Sequence, residues 1–291
     1  MAPFDVIRRA PWNQPQSPPI VNVTTMLNPE ELRMLRWLTS SYYVGEGAIV
    51  DGGCFLGGST AALAQGLRDV GSTHKIDSYD LFVADEESAA SHGRGKFIAG
   101  SNIRPLFDAN IAAYADLVTV HHGDILQHPW NGRPIEILFV DVAKTVAIND
   151  MLISTMFTSF IPNRSIVIQQ DYLHYYLPWI HITMEKLVDH FSYLADTGYN
   201  SVIFGVTKAI SKSDAERAQW PNLSVTERIE LMDRAIARWT GAKRDYLIWA
   251  KSAYDLTEKA ESRFIPGREF RPPKAPLVRR VLGRVRRMIV P

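Results

Sequence analysis

A single cysteine, Cys54, in 291 residues excludes an internal disulfide framework and fits a reducing compartment. Long apolar runs are missing too, and no stretch approaches the roughly 18 residues that a membrane-spanning helix needs. The opening residues, MAPFDVIRRAPWNQPQSPP, lack the apolar centre of a secretion signal, so a cytoplasmic location is expected. There is no internal repeat, and biased composition is confined to the two termini. Nor does charge of one sign prevail, since 32 Lys and Arg face 31 Asp and Glu for a net +1. That balance hides an asymmetry. From residue 263 onward nine basic residues (Arg263, Arg268, Arg271, Lys274, Arg279, Arg280, Arg284, Arg286 and Arg287) stand against one acid, Glu269, so this tail carries +8 and residues 1–262 carry −7. An acidic body argues against nucleic acid as a partner of the core. With 46% hydrophobic and 22% charged residues the composition is that of a folded globular protein. Its length suits one large α/β domain with additions, or two small ones.

The chain is organised around residues 48–63, AIVDGGCFLGGSTAAL. A short apolar run ends in Asp51, passes Gly52, Gly53, Gly57 and Gly58, and continues from Ser59 and Thr60. This predicts a buried strand turning tightly into a helix. Glycines belong where a ligand approaches the backbone closely or where φ must be positive. A pyrophosphate would want such glycines at a helix N-terminus with no carboxylate beside them. Here Asp51 directly precedes them, and Cys54 stands where the G-x-G-x-x-G pattern requires its second glycine after Gly52. A ligand carrying an ammonium and no phosphate fits better. None of the 11 tyrosines has a lysine four residues later, which also removes the Tyr-x-x-x-Lys pair of a short-chain dehydrogenase.

VDGGCFLGGST resembles the first motif of class I S-adenosylmethionine-dependent methyltransferases, and later segments resemble the macrocin- and catechol-type O-methyltransferases among them. HKIDSYD, residues 74–80, reads as a second strand ending in Asp80, and YDLF resembles the FDSF-like segment of the macrocin-type enzymes. An acid at this strand end accepts hydrogen bonds from ribose hydroxyls. Capping of the following loop is the alternative role for Asp80, and Asp77 the alternative acid. LVTVH (117–121) reads as a strand, and Gly123-Asp124-Ile125 resembles the segment whose acid meets the adenine amino group, a donor for a carboxylate acceptor.

IEILFVD, residues 135–141, is the clearest strand, apolar from Ile137 and ending in Asp141. Such strands lie in the middle of parallel sheets with their carboxyl ends at the ligand crevice. VDVAK resembles the catechol-type pattern, in which the acid binds magnesium and the lysine, here Lys144, removes the proton of the substrate hydroxyl. A sulfonium and a metal nearby would disfavour the charged lysine and make it a usable base. Residues 165–169 read as a fifth strand, followed by Gln170-Asp171-Tyr172. The macrocin-type enzymes carry paired acids before this tyrosine, and Gln170 takes the first place here. The implied magnesium site is then Asp141 and Asp171 with the Gln170 carbonyl. His174 is the other candidate base, by virtue of an ordinary pKa of about 6.5. Its alternative is a structural role in the aromatic segment YLHYYLPWIH, and His181 is a weaker candidate at the start of a helix.

Around these landmarks, Asn28-Pro29-Glu30-Glu31 predicts a capped helix over 28–43. Further helices are expected near 102–114, at 146–160 and through 212–262, with a loop at 85–100 over the site. Two antiparallel strands, 191–196 and 201–206, should complete the sheet. The resemblance thus implies an α/β, Rossmann-like class I methyltransferase fold: a seven-stranded, mostly parallel sheet with helices on both faces and a late antiparallel strand. The implied boundaries are an N-terminal arm and helix (1–44), the cofactor-binding core (45–208), a helical extension (209–262) for dimer contact or the acceptor pocket, and the tail (263–291). S-adenosylmethionine would be held by Asp51, Gly53, Cys54, Gly57, Ser59, Asp80, Asp124 and Asp141. The implied activity is O-methylation of a hydroxyl on a sugar or natural-product small molecule, with a catalytically degenerate binding or scaffolding protein as the alternative. In the tail, LVRRVLGRVRRMIV (277–290) predicts a basic amphipathic helix. It would dock on the acidic body or a second subunit, or lie on an anionic membrane at the inner face.

Overall fold

The computed structural model describes residues 3–14, 23–173, 177–198 and 200–257, with the backbone at 263–264. The strands are β1 (Ala48–Gly52), β2 (Ile76–Asp80), β3 (Val118–His122), β4 (Ile135–Val140), β5 (Ile166–Gln169), β6 (Phe191–Asp196) and β7 (Val202–Val206). They form one sheet in the order β3-β2-β1-β4-β5-β7-β6. From β3 across to β5 every pairing is parallel, and β7 is antiparallel to both of its neighbours. The last two strands therefore form the expected hairpin, but only β7 runs against the rest of the sheet. Strand order reverses between β1 and β4, which is where open α/β sheets place a ligand.

Side-chain alternation explains why β4 reads as an unbroken apolar run. Ile137 and Phe139 pack on one face with Ile49, Ile166 and Ile168, while Leu138 and Val140 pack on the other with Val50, Val167 and Phe204. Both faces are covered, so neither set is polar. The helices are α1 (Pro3–Ile7), α2 (Pro29–Trp37), α3 (Gly58–Asp69), α4 (Glu86–His92), α5 (Arg104–Asn110), α6 (Val146–Thr155), α7 (Pro178–Lys186), α8 (Lys212–Ala218), α9 (Val225–Ala237) and α10 (Gly241–Ala253). α2 and α3 supply the first face, and α6, α7 and α9 the second. Asn28 caps α2 by accepting from the N–H groups of Glu30 and Glu31, and the Glu31 carboxylate accepts the Asn28 N–H in return. The helix then continues as a π-helical turn, Leu38–Tyr42, filling the expected span.

Three expectations are corrected. Residues 85–100 are not only loop: α4 starts there because Asp85 accepts the Ser88 N–H at 2.6 Å. Its mostly polar sequence gives no apolar period to read. The helix near 102–114 is shorter, ending at Asn110 and followed by a 3-10 turn, Ala112–Leu117. Beyond α10 the chain is not helical to 262, since β8 (Tyr254–Asp255) pairs antiparallel with β9 (Arg263–Phe264). Two residues per strand are too few to show a period. His174 and the tail helix expected at 277–290 lie outside the described residues. No described helix is long and apolar enough to cross a membrane.

Candidate active site

The turn from β1 into α3 is fixed by close contacts to the ends of the neighbouring strands. Gly53 (φ 90°) and Gly57 (φ 92°) have left-handed backbones, and a Cβ on either would collide, at 2.5 Å from the Asp141 carbonyl oxygen and 2.7 Å from Ile111 Cγ2 respectively. Gly53 N–H donates to the Tyr79 carbonyl at 2.9 Å, and Asp141 N–H donates to the Gly52 carbonyl at 2.8 Å. Two bulky residues nearby are also left-handed, Phe55 (φ 47°) and Phe82 (φ 54°). Such backbones cost on the order of 1–3 kcal/mol each. Asp80 offsets this: its Oδ2 accepts Phe55 N–H and its Oδ1 accepts Phe82 N–H, both at 2.7 Å. Hydrogen bonds to a charged group contribute about 1.5–3 kcal/mol each. Asp80 therefore does cap the loop after β2, yet each carboxylate oxygen keeps a further lone pair for a ribose hydroxyl. Burial raises its pKa against these two bonds. Asp77, the alternative acid, is taken up by His121 and Arg133.

Asp51 is fully buried behind the turn. Its Oδ2 accepts the Ser59 hydroxyl at 3.0 Å and the Thr60 hydroxyl at 2.5 Å, while Oδ1 has no partner among the described residues. Burial pushes its pKa up to about 6, against those two bonds. Asp51 and Ser59 thus brace the start of α3 from inside. Cys54 is buried as well, its thiol pushed well above the ordinary range by burial, so it packs and does not react. Asp124 is exposed and accepts the Leu126 N–H at 3.0 Å in a short turn after β3.

At the ends of β4 and β5 a lysine joins the two acids. Lys144 Nζ donates to Asp141 Oδ1 at 2.6 Å and to Asp171 Oδ2. Burial works against the ammonium, but the two carboxylates outweigh it and hold Lys144 protonated well above its ordinary range. That is opposite to the lowered pKa expected of a base. The Asp141 carboxyl is raised by burial and by Asp171, with Lys144 opposing. Gln170 is buried and its side chain engages Glu31. Glu31, from α2, is itself fully buried, accepting the Ser201 hydroxyl at 2.6 Å and the Asn28 N–H at 2.9 Å. His181 is fully buried, bonded to the Tyr172 carbonyl, and burial lowers its pKa to about 4, so it stays neutral and structural.

Sequence reasoning missed Glu31, Phe55 and Phe82 as parts of this site. For Glu31 the sequence showed only a helix start, because its partner Ser201 is 170 positions away. A bulky residue inside a glycine turn was the available signal for Phe55. A separate cavity of about 410 Å³, lined by Tyr172, Met184, Phe191, Phe204, Arg238 and Trp239, shares no lining residue with the glycine turn or the lysine-bridged acids.

No protein-family model matches the chain, and no curated protein matches it. Among solved structures it is similar to the O-methyltransferase NovP, at 16% identity over 70% of this chain and 98% of that one, with a TM-score of 0.48. It is also similar to CalS11, a TDP-rhamnose 3'-O-methyltransferase of calicheamicin biosynthesis (16% identity, 60% of this chain, 78% of that one, TM-score 0.44). The Podospora anserina methyltransferase PaMTH1, with S-adenosylhomocysteine bound, is a third (14%, 63%, 80%, 0.42). Likeness at this level carries no residue role across. The strand order with its single reversed strand is the deciding feature. The fold is that of the class I methyltransferases.

Proposed function

We propose that this protein is an S-adenosylmethionine-dependent methyltransferase acting on a hydroxyl of a small molecule, with residues 45–208 as its catalytic core. The observation that carries the reading is the glycine turn at the β1–β4 switch point, where left-handed Gly53 and Gly57 let the backbone pack tightly against Asp141 and Ile111 at the strand ends and Asp80 stands one strand away. A sugar or natural-product ring as the acceptor is supported by the macrocin-type resemblance alone. The residues present fit the cofactor: the turn's backbone and Asp80 would hold it. S-adenosylmethionine would supply an activated methyl group, whose bond to sulfur breaks, with the electron pair kept by sulfur, as the acceptor oxygen bonds to carbon.

Most of the barrier would then be lowered by alignment, which supplies up to roughly 7–11 kcal/mol. The acceptor's hydroxyl proton needs a base. Lys144, held protonated, does not offer one, whereas a carboxylate of the Asp141 and Asp171 pair does. A divalent metal fits poorly here. Both acids are engaged by Lys144, and no group of three or more His, Cys, Asp or Glu among the described residues is arranged to hold an ion.

Calorimetry of the full chain with S-adenosylmethionine tests the reading. Micromolar binding is the expected result, and absent binding, or tighter binding of NAD, overturns it. The same lysine-locked acids favour a second reading, a methyltransferase-like binding or scaffolding protein. Cofactor binding without turnover on any hydroxyl acceptor would select that one. For the basic tail we propose attachment, to the acidic body, a second subunit or an anionic membrane. Salt-sensitive sedimentation with anionic liposomes, lost on deletion of residues 271–291, would select the membrane.

A further inference from the structure

We infer that Lys144 is the resident cation of this crevice, its ammonium seated between Asp141 and Asp171 where the catechol-type resemblance would put a divalent metal, so that acceptor binding requires no metal ion. The geometry is specific. Lys144 reaches one oxygen of each acid, at 2.6 Å from Asp141 Oδ1 and closer to Asp171 Oδ2. These acids come from the ends of two adjacent strands, β4 and β5, and Asp171 is only 8% exposed while the lysine side chain is 51% exposed. The ammonium is therefore anchored to both acids while about half of the lysine side chain faces solvent.

A hard divalent ion needs several oxygen ligands, most of its charge being met by carboxylates. The chain withholds these in two ways. Lys144 already neutralises one of the two acids' charges, and an ammonium and a dication cannot share the same two carboxylate oxygens at hydrogen-bond distance. The third place carries Gln170 instead of an acid, which leaves any ion there with one charged ligand fewer. An ammonium has three N–H donors. Two are used by the acids, and the third is left for the oxygen of an acceptor, which it would hold by a charge-assisted hydrogen bond. Lys144 becomes a positioning residue in place of the base that the catechol-type resemblance implies.

The consequence for catalysis rests on the methyltransferase reading, but the test does not. Manganese, as the probe ion, is titrated into the full-length protein in excess and followed by electron paramagnetic resonance. The wild type should leave the free-manganese signal undiminished, while Lys144→Met, which keeps length and removes charge, should take up one ion per chain. Adding Asp171→Asn to that variant should abolish the uptake. Stoichiometric manganese binding by the wild type that is lost in Asp171→Asn would overturn the inference, as would a folded Lys144→Met that binds none. Should the variant fail to fold, the wild type decides alone. Its Lys144 ammonium should give a slowly exchanging proton–nitrogen signal that manganese leaves sharp, and a broadened signal overturns the assignment. Cofactor calorimetry on the same sample separates the two readings. Absent S-adenosylmethionine binding would sink the enzyme and leave the manganese result standing.

Discussion

Two pairs of acids line the same edge of the sheet and are held in opposite ways. Asp51 and Asp80, at the ends of β1 and β2, accept only from neutral donors: two hydroxyls and two backbone N–H groups. Asp141 and Asp171, at the ends of β4 and β5, are joined by an ammonium. Neutral donors leave the charge in place and use it to shape the chain, which is how Asp80 keeps Phe55 and Phe82 in left-handed backbone. An ammonium cancels charge and leaves the backbone alone. The first pair thus builds a cradle, and the second sets the electrostatics of what would lie across from it.

The change expected to do most damage joins both halves. Gly53→Ala would force a side chain into left-handed backbone and push its Cβ to 2.5 Å from the Asp141 carbonyl oxygen, which belongs to backbone and cannot swing away. A stability loss on the order of 3 kcal/mol follows, read by urea unfolding. Cofactor affinity should fall at least about a hundredfold. An unchanged unfolding midpoint would show that the two halves are not mechanically joined.

Asp51→Asn comes next, and its effect has a pH signature. The folded carboxyl is raised to about 6 by burial, above its ordinary value of about 3.9. A raised acid favours the folded state while protonated, so that contribution is complete below the unfolded pKa and is lost as pH rises through about 6. An amide carries no such charge and can still accept from Ser59 and Thr60. The variant should match the wild type near the acid end of this window and exceed it above pH 6, by about 3 kcal/mol at most. Equal stability at all pH values would mean that Asp51 is not paying a burial cost.

Asp80→Ala should weaken S-adenosylmethionine binding roughly ten- to a hundredfold, by removing two charged hydrogen bonds from the turn as well as any bond to ribose. Asp80→Asn separates these contributions. Its amide nitrogen cannot accept, so one of Phe55 and Phe82 must lose its partner, and calorimetry should place this variant between wild type and alanine.

The sheet was legible because its strands announce themselves. β4 and β5 are apolar on both faces, and every proposed acid of the crevice, Asp124 included, lies at or just beyond the carboxyl end of one of the strands β1 to β5, where strand periodicity puts it. Partners were not legible. Asp141 and Lys144 are three residues apart, which suggests a relation but not its sign. The sign came from Asp171, 27 positions after the lysine, whose approach depends on β5 lying beside β4. Two acids around one lysine raise its pKa, where a metal and a sulfonium would have lowered it. The long reach from Glu31 to Ser201 was hidden for the same reason. α4 was missed because Ser88 fills the place in the capping box where glutamate or glutamine is usual.

The smallest expected effect is the sharpest check on the division between the two pairs. Asp171→Asn removes one carboxylate from Lys144, and since the lysine is half exposed, solvent takes over part of the lost interaction. Nothing in the glycine turn bonds to Asp171, and Asp141 still accepts from the ammonium at 2.6 Å. Cofactor affinity should therefore stay within a factor of about three, on the order of 0.6 kcal/mol, while turnover of a hydroxyl acceptor falls, because a neutral amide replaces one of the two carboxylates that aim the ammonium. Asp80→Ala should show the reverse bias, with the larger change in cofactor affinity. If Asp171→Asn instead weakens the cofactor as strongly as Asp80→Ala does, the two pairs act as one site, and the ammonium belongs to the cradle.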